Sequence, residues 1–476
     1  MVFQSWNFIL FLLVVVVATR WTLPQWRWLI LLIASYFFYS LTGWIPLLLL
    51  IFSTLLTFQI GKWLGNEKDQ KKRYRILVLS VFIQIFQLAV FKYMGFFESI
   101  FQLFSSWTGH HQHDAWTKLI LPLGISFYTF QSMGYVFDVY YKIRKPELHL
   151  GHYSLYVSFF PQIQSGPIGR SKKILPQLSS IPTLSDDKLR YFTMLFVWGL
   201  MKKLVIADRL GNYVDPIYAH PQGQGAWVWS LTLVMYTFQL YTDFSAYSDM
   251  ARAIAGFVGV EIPENFMYPY KANNITDFWR RWHLSLSGWL RDYIYTPVMF
   301  AFKKYKEGAI VLAIVITFLI CGIWHGPKMT FVIFGLVQAI LLLFEYFTKS
   351  IREKIQSKIS ENIYQRISIA LTFLVISICF ILFRAEDMKM VSSIGTEILN
   401  WDGMLLKQYV AEKNLSKLLG IATLILLFVV FEEKMEQTMK QDGLSRWIQM
   451  LIVSTLLILI GVTGVLGKEE FIYFQF

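Results

Sequence analysis

The chain has 476 residues, of which 55% are hydrophobic, 17% aromatic and only 16% charged. A soluble core of this length cannot hide so much apolar surface, and apolar runs near 18 residues recur, each long enough to cross a bilayer of about 30 Å. The formal net charge of +13 sits in short loops between those runs, a positive-inside pattern that excludes a nucleic-acid groove. The sequence therefore reads as an all-α polytopic membrane protein, one membrane-embedded domain over 1–476, with about 11–12 spans plus re-entrant or interfacial helices.

Residues 2–19, 28–42 and 44–60 form three apolar runs, the last two joined at Gly43. No basic residue precedes the first run and no small-x-small site follows it, so it does not read as a cleavable signal peptide. The stretch 61–75 carries Lys62, Lys68, Lys71, Lys72, Arg73 and Arg75. As a cytoplasmic loop it places the N-terminus outside. Residues 76–93 return outward, and 94–117 form an outer segment with His110, His111 and His113. No fixed third or fourth ligand accompanies these histidines, so they read as a solvated loop rather than a metal site.

Residues 118–141 run inward to Lys142, Arg144 and Lys145. The apolar stretch 153–170 is broken by Pro161, Gly166, Pro167 and Gly169. Such breaks fit a re-entrant or interfacial segment whose freed backbone groups are satisfied by protein or a water-filled cavity. Residues 189–207 and 226–242 give two more spans; Lys202 and Lys203 run against the charge rule there, and the sequence offers no account of them. Asp243, Ser245, Tyr247 and Asp249 then interrupt apolar sequence. A carboxylate within a bilayer is costly, which points Asp243 to a role inside the protein. Asp249, beside Arg252, reads as interfacial.

The next stretch, DFWRRWHLSLSGWLRDY from Asp277 to Tyr293, reads as one amphipathic helix. Thr276 or Asp277 would cap it and Pro297 would end it. Seven apolar residues share an arc of roughly 120°, while Arg280, His283, Ser287 and Arg291 fall within about 80° on the facing side. Asn274-Ile275-Thr276 matches a glycosylation sequon that a cytoplasmic placement makes a chance match. Residues 308–325 and 329–347 are spans joined by GIWHGP, Gly322 to Pro327. Thr317, Cys321 and His325 share one helix face, and Cys321 reads as a buried apolar thiol, not a nucleophile. The final spans are expected near 366–383, 416–431 and 446–466. RAEDM opens an outer loop at 384, and EEKMEQTMK, 432–440, forms a charged inner loop.

Two histidines lie in membrane-associated sequence, each flanked by tryptophan: His283 in the cytoplasmic loop and His325 at the outer end of a span. Imidazole takes a proton from a hydroxyl near neutral pH, and Trp324 gives His325 an apolar wall that favours its neutral form. Arg280 and Arg291 suit an anionic, phosphate-bearing ligand. Together they suggest group transfer across the membrane to a hydroxyl acceptor. A transporter or flippase using Asp243 and the histidines as a path is the competing class, against which the lack of internal repeats argues.

DFWRRWHLSLSGWLRDYIYTPV followed by GIWHGP resembles the membrane-bound O-acyltransferase (MBOAT) family, in particular its bacterial polysaccharide O-acetyltransferase branch, typified by the alginate acetylase. YVSFFPQIQSGPIGR, LVIADRLG, QLYTDFSAYSD, IPENFMYPY, ILFRAEDM and the terminal FIYFQF extend the resemblance along nearly the whole chain. The resemblance implies a ring of helices around a thin centre, in a bacterial cytoplasmic membrane. It places the family's invariant histidine on His325 and its second histidine on His283. It implies acetyl-CoA as donor, no bound cofactor or metal, and an extracytoplasmic polysaccharide or peptidoglycan hydroxyl as acceptor, reached through a serine-hydrolase-like partner. Arg280, Arg291, Trp324, Asp243 and Ser287 are the expected substrate-binding residues. D-alanyl transfer to teichoic acid, by a related branch with a similar core, is the alternative chemistry.

Overall fold

The computed structural model describes residues 1–93, 122–441, 443–465, 467 and 471–472. The segment 94–117 with His110, His111 and His113 lies outside the described residues. Every regular element among the described residues is helical. Seven helices among the described residues are long and apolar enough to cross a membrane: Trp44–Asn66, Gln70–Lys92, Glu307–His325, Met329–Phe347, Glu361–Arg384, Leu415–Lys440 and Arg446–Thr463. The chain is a multi-pass membrane protein.

The other expected runs also form helices, but of a different kind. Arg27–Ser40 has 14 residues, which reach only about 21 Å. Residues 125–139 of the 16-residue helix Ile125–Tyr140 are all buried, so its apolar face meets protein throughout. Gly225–Phe257 runs for 33 residues and carries the polar run around Asp243.

The chain divides into two compact units: Met1–Phe192 with Ala251–Pro263, and Thr193–Met250 with Glu264–Phe476. In the first, the expected basic loop at 61–75 shrinks to three residues between Trp44–Asn66 and Gln70–Lys92. Asp69 caps the second helix by accepting the N–H groups of Lys71 and Lys72 at 2.7 and 3.1 Å. Arg73 is not a loop cation but buried. Its guanidinium donates to the carbonyls of Leu64, Val139 and Tyr140, closing two helix ends whose last carbonyls lack intrahelical partners.

The broken segment at 153–170 behaves as its prolines and glycines require. The helix Leu150–Ser158 stops, and residues 159–169 continue as buried irregular chain. Buried backbone needs partners, and side chains supply them. Ser35 Oγ accepts the Phe160 N–H at 3.2 Å, Gln162 Nε2 donates to Pro167 O at 2.5 Å, and the Tyr156 hydroxyl donates to Gly169 O at 2.9 Å.

In the second unit, Glu307–His325 and Met329–Phe347 form a hairpin of unusually close backbones. A Cβ on Gly322 would collide with the Phe331 carbonyl, and one on Gly335 with the Phe318 carbonyl. The two glycines face each other, and this contact sets where the hairpin's turn, and His325, come to rest. The stretch 432–440 is not a loop. Its Glu, Lys, Met and Gln residues favour helix and extend Leu415–Lys440 well past its apolar part.

Candidate active site

The expected helix Asp277–Tyr293 is two helices. Ile275–Trp279 ends in a turn over 280–283, and Leu284–Leu290 follows. A π-turn, Arg291–Tyr295, leads into Thr296–Ala301. Pro297 therefore does not stop the helix; it falls in the first turn of the new segment, where its missing N–H costs little. The cap is Asn274, whose side chain accepts the Asp277 N–H at 2.8 Å, rather than Thr276 or Asp277. Thr276 instead gives its N–H and hydroxyl to Glu345 Oε2 at 3.0 and 2.7 Å. Trp279 Nε1 donates to Gln338 Oε1 at 3.1 Å. These contacts dock the short helix on Met329–Phe347, the hairpin partner of the His325 helix.

The break changes what the polar residues do. His283 sits at φ 45°, ψ 54°, a left-handed conformation uncommon for a side chain with a Cβ. With a relative exposure of 1% it points inward, so the single polar stripe with Arg280, Ser287 and Arg291 does not exist. Arg280 and Arg291 are exposed, and Arg291 pairs with Asp292 at 3.0 Å. Ser287 turns back on its own chain, its hydroxyl donating to Trp282 O at 3.0 Å. Arg281 is tied to Asp277 at 2.9 Å.

His283 packs edge-on against Phe244, ring centroids 4.8 Å apart, and against Trp324 at 6.0 Å. Burial pushes its imidazole down to about 3, so the ring is neutral at working pH. Trp324 is also the neighbour of His325, at 5.0 Å. The two histidines, expected toward opposite faces of the membrane, thus share one indole. Sequence reading assigned sides by counting spans and could not see that the turn at 280–283 folds His283 inward.

His325 is the last residue of Glu307–His325 and is buried. Phe383, from Glu361–Arg384, lies 4.9 Å away, with Phe331 and Phe334 of Met329–Phe347 at 6.1 and 6.5 Å. Thr317, Cys321 and His325 do share a buried helix face, and Cys321 Sγ is 3.9 Å from His325 Nε2. Aromatic rings from three helices thus enclose this imidazole. Among the described residues, no three His, Cys, Asp or Glu side chains gather to hold a metal ion.

Asp243 lies inside the protein, in a built ion pair. Lys202 and Lys203 fall in a π-turn, Lys202–Ala207, both buried. Lys203 Nζ lies 2.8 Å from Asp243 and 2.9 Å from Asp208. The other Asp243 oxygen accepts the Ile472 N–H at 2.8 Å. Asp249 is not interfacial: it is buried and pairs with Lys202 at 2.5 Å. The pairing explains the two lysines that broke the charge rule. Gly199, pressed on the Ala246 carbonyl and Met250, allows the helices to come close enough.

A family model described as MBOAT, membrane-bound O-acyltransferase family, matches residues 31–384. The chain belongs to the membrane-bound O-acyltransferase family. It is an O-acyltransferase. Its similarity to a probable alginate O-acetylase of Pseudomonas aeruginosa is 33% identity over 90% of this chain and 80% of that protein. A peptidoglycan O-acetyltransferase of Helicobacter pylori is 33% identical over 76% of this chain and 71% of its own. A teichoic acid D-alanyltransferase of Bacillus subtilis is 28% identical over 56% of this chain and 70% of its own. In this MBOAT chain the framework around the histidines, Phe244, Gln338, Glu345 and Phe383, was not singled out from the sequence. Phe244 and Phe383 lie inside the quoted QLYTDFSAYSD and ILFRAEDM, while Gln338 and Glu345 lie in the span 329–347.

Proposed function

We propose that this MBOAT enzyme moves an acetyl group from acetyl-CoA to hydroxyls of an extracytoplasmic polysaccharide or cell-wall glycan. The donor's phosphates meet exposed Arg280 and Arg291, on the cytoplasmic side of a bacterial inner membrane with the N-terminus outside. His325 takes the proton of the attacking hydroxyl, whose oxygen forms the ester bond as the thioester carbon–sulfur bond breaks. The proton leaves with the coenzyme thiol. A positioned base of this kind contributes about 10²–10⁴-fold in rate. His283, neutral and buried, orients the reactants by hydrogen bonding rather than by carrying charge. A serine-hydrolase-like partner completes delivery to the polymer. The relatives' names support the acetyl group and the glycan acceptor.

The observation that carries this reading is the pair of buried imidazoles on one tryptophan, one at a helix end and one in a left-handed turn. The test is radiolabelled acetyl-CoA with purified protein in nanodiscs, with and without acceptor glycan. His325→Ala and His325→Gln should both lose at least about 10²-fold in transfer while binding the donor as wild type does. Wild-type turnover in His325→Gln would remove general-base catalysis. Absence of any acetylated product in the wild type would favour a transporter.

A further inference from the structure

The segment 264–268 braces the turn that carries His283. Asn265, in the run IPENFMYPY, is 1% exposed. Its backbone carbonyl accepts the Leu284 N–H at 2.8 Å. Its side-chain Oδ1 accepts the Ser285 hydroxyl at 2.6 Å and the Ser285 N–H at 3.3 Å. Its Nδ2 donates to Ser248 Oγ at 3.1 Å. Two residues further on, the Met267 N–H donates to Arg281 O at 2.9 Å. The chain on both sides of His283 is therefore tied to one short segment.

The amide orientation follows from its neighbours. A flipped Asn265 would set its NH₂ against the Ser285 N–H, two donors facing each other. The anchor at the other end is firm: Ser248 precedes Asp249, which Lys202 holds, on the long helix Gly225–Phe257. His283 needs such bracing, because a left-handed residue with a Cβ persists only where its surroundings over-determine it.

We propose that Asn265 is a positioning residue for acyl transfer. It holds the left-handed turn that keeps His283 on the Trp324 indole beside His325, acting through His283 rather than on the substrate. This rests on the reading of His283 as a member of the reacting pair.

The experiment is a double-mutant cycle between Asn265 and His283 in cells lacking the native gene. The readout is base-releasable acetate and D-alanine in the envelope glycans, at matched levels of membrane-inserted protein. Asn265→Ala should lower the acyl content about 10–100-fold, the scale of a misplaced reacting group. Asn265→Asp keeps the Oδ1 acceptor and should restore most of it. The double variant Asn265→Ala with His283→Ala should be no worse than His283→Ala alone. Acetyl-CoA affinity of purified Asn265→Ala should match wild type. Additive losses in the cycle, or a failure of Asn265→Asp to rescue, would overturn the positioning role while leaving His283 in place. A wild-type acyl content in His283→Ala would instead overturn the reading of His283, and the proposal with it.

Discussion

Replacing Asp249 by Asn is the perturbation that separates a buried ion pair from an interfacial carboxylate. In the structure, Asp249 and Lys202 are both buried, with 2.5 Å between Oδ2 and Nζ. Asn keeps the shape and one hydrogen bond but removes the carboxylate paired with the Lys202 ammonium, which Glu436 and Glu432 attract less strongly. At an effective dielectric near 20, unit charges 3–4 Å apart attract by about 4–5 kcal/mol, and breaking a buried pair by removing one partner costs about 3–5 kcal/mol. Lys202→Met alone takes the paired ammonium away from the buried Asp249 carboxylate and should cost a similar amount. The double variant Lys202→Met with Asp249→Asn removes both charges and should recover most of the loss, because the desolvation cost disappears with them. The assay is thermal unfolding of the purified proteins in one detergent, followed by intrinsic fluorescence. A shift of a few degrees per single variant is expected, since a chain of this size moves less per kcal/mol than a small domain. Unchanged midpoints in both single variants, or a double variant as unstable as the sum of the singles, would refute the pairing.

Arg280→Ala should raise the apparent Michaelis constant for acetyl-CoA about 5–10-fold with turnover little changed, because an exposed charge-assisted contact contributes to donor binding alone; an unchanged constant with collapsed turnover would refute the donor role. The buried His283, held near 3, should not titrate between pH 5 and 8, so the acid limb of transfer should persist in His283→Ala, and its disappearance would reassign the limb. The same depression has a stability consequence with a definite sign. The folded protein refuses a proton that the unfolded chain accepts below about 6.5, so stability is unaffected above that pH and falls by roughly 2 kcal/mol by pH 5; acid unfolding of His283→Gln should lack that component.

Much of the fold was legible because it follows from apolar length. The hairpin Glu307–His325 and Met329–Phe347 matched its expected bounds within a residue, since Gly326 and Pro327 mark the turn. The broken stretch at 153–170 was legible for the same reason: proline and glycine announce a missing ladder. Less legible were features in which charge is buried. Arg73 read as a loop residue and Asp249 as interfacial, and Lys202 and Lys203 had no account, because composition cannot tell a solvated charge from one whose partner is distant in sequence. Charge rules assume solvent at each cation; Lys202 and Lys203 have carboxylates instead.

The site shows the same division at closer range. Periodicity over Asp277–Tyr293 counts 100° per residue and has no term for a residue that leaves the helix. One left-handed residue at His283 resets the count, so Arg280 stays outside while His283 turns in. No glycine or proline marks the position, and the force that holds it comes from Asn265, 18 residues earlier, through bonds to Leu284 and Ser285. Local sequence could therefore nominate both histidines but not bring them together. What joins them is tertiary: two glycines that let a hairpin close, an asparagine that bends a turn, and a tryptophan that touches both imidazoles. The chemistry assigned to His325 needs a neighbour that does not compete for the proton. A neutral His283 against the Trp324 indole meets that need, whereas a charged one would oppose formation of the imidazolium that general-base catalysis at His325 requires.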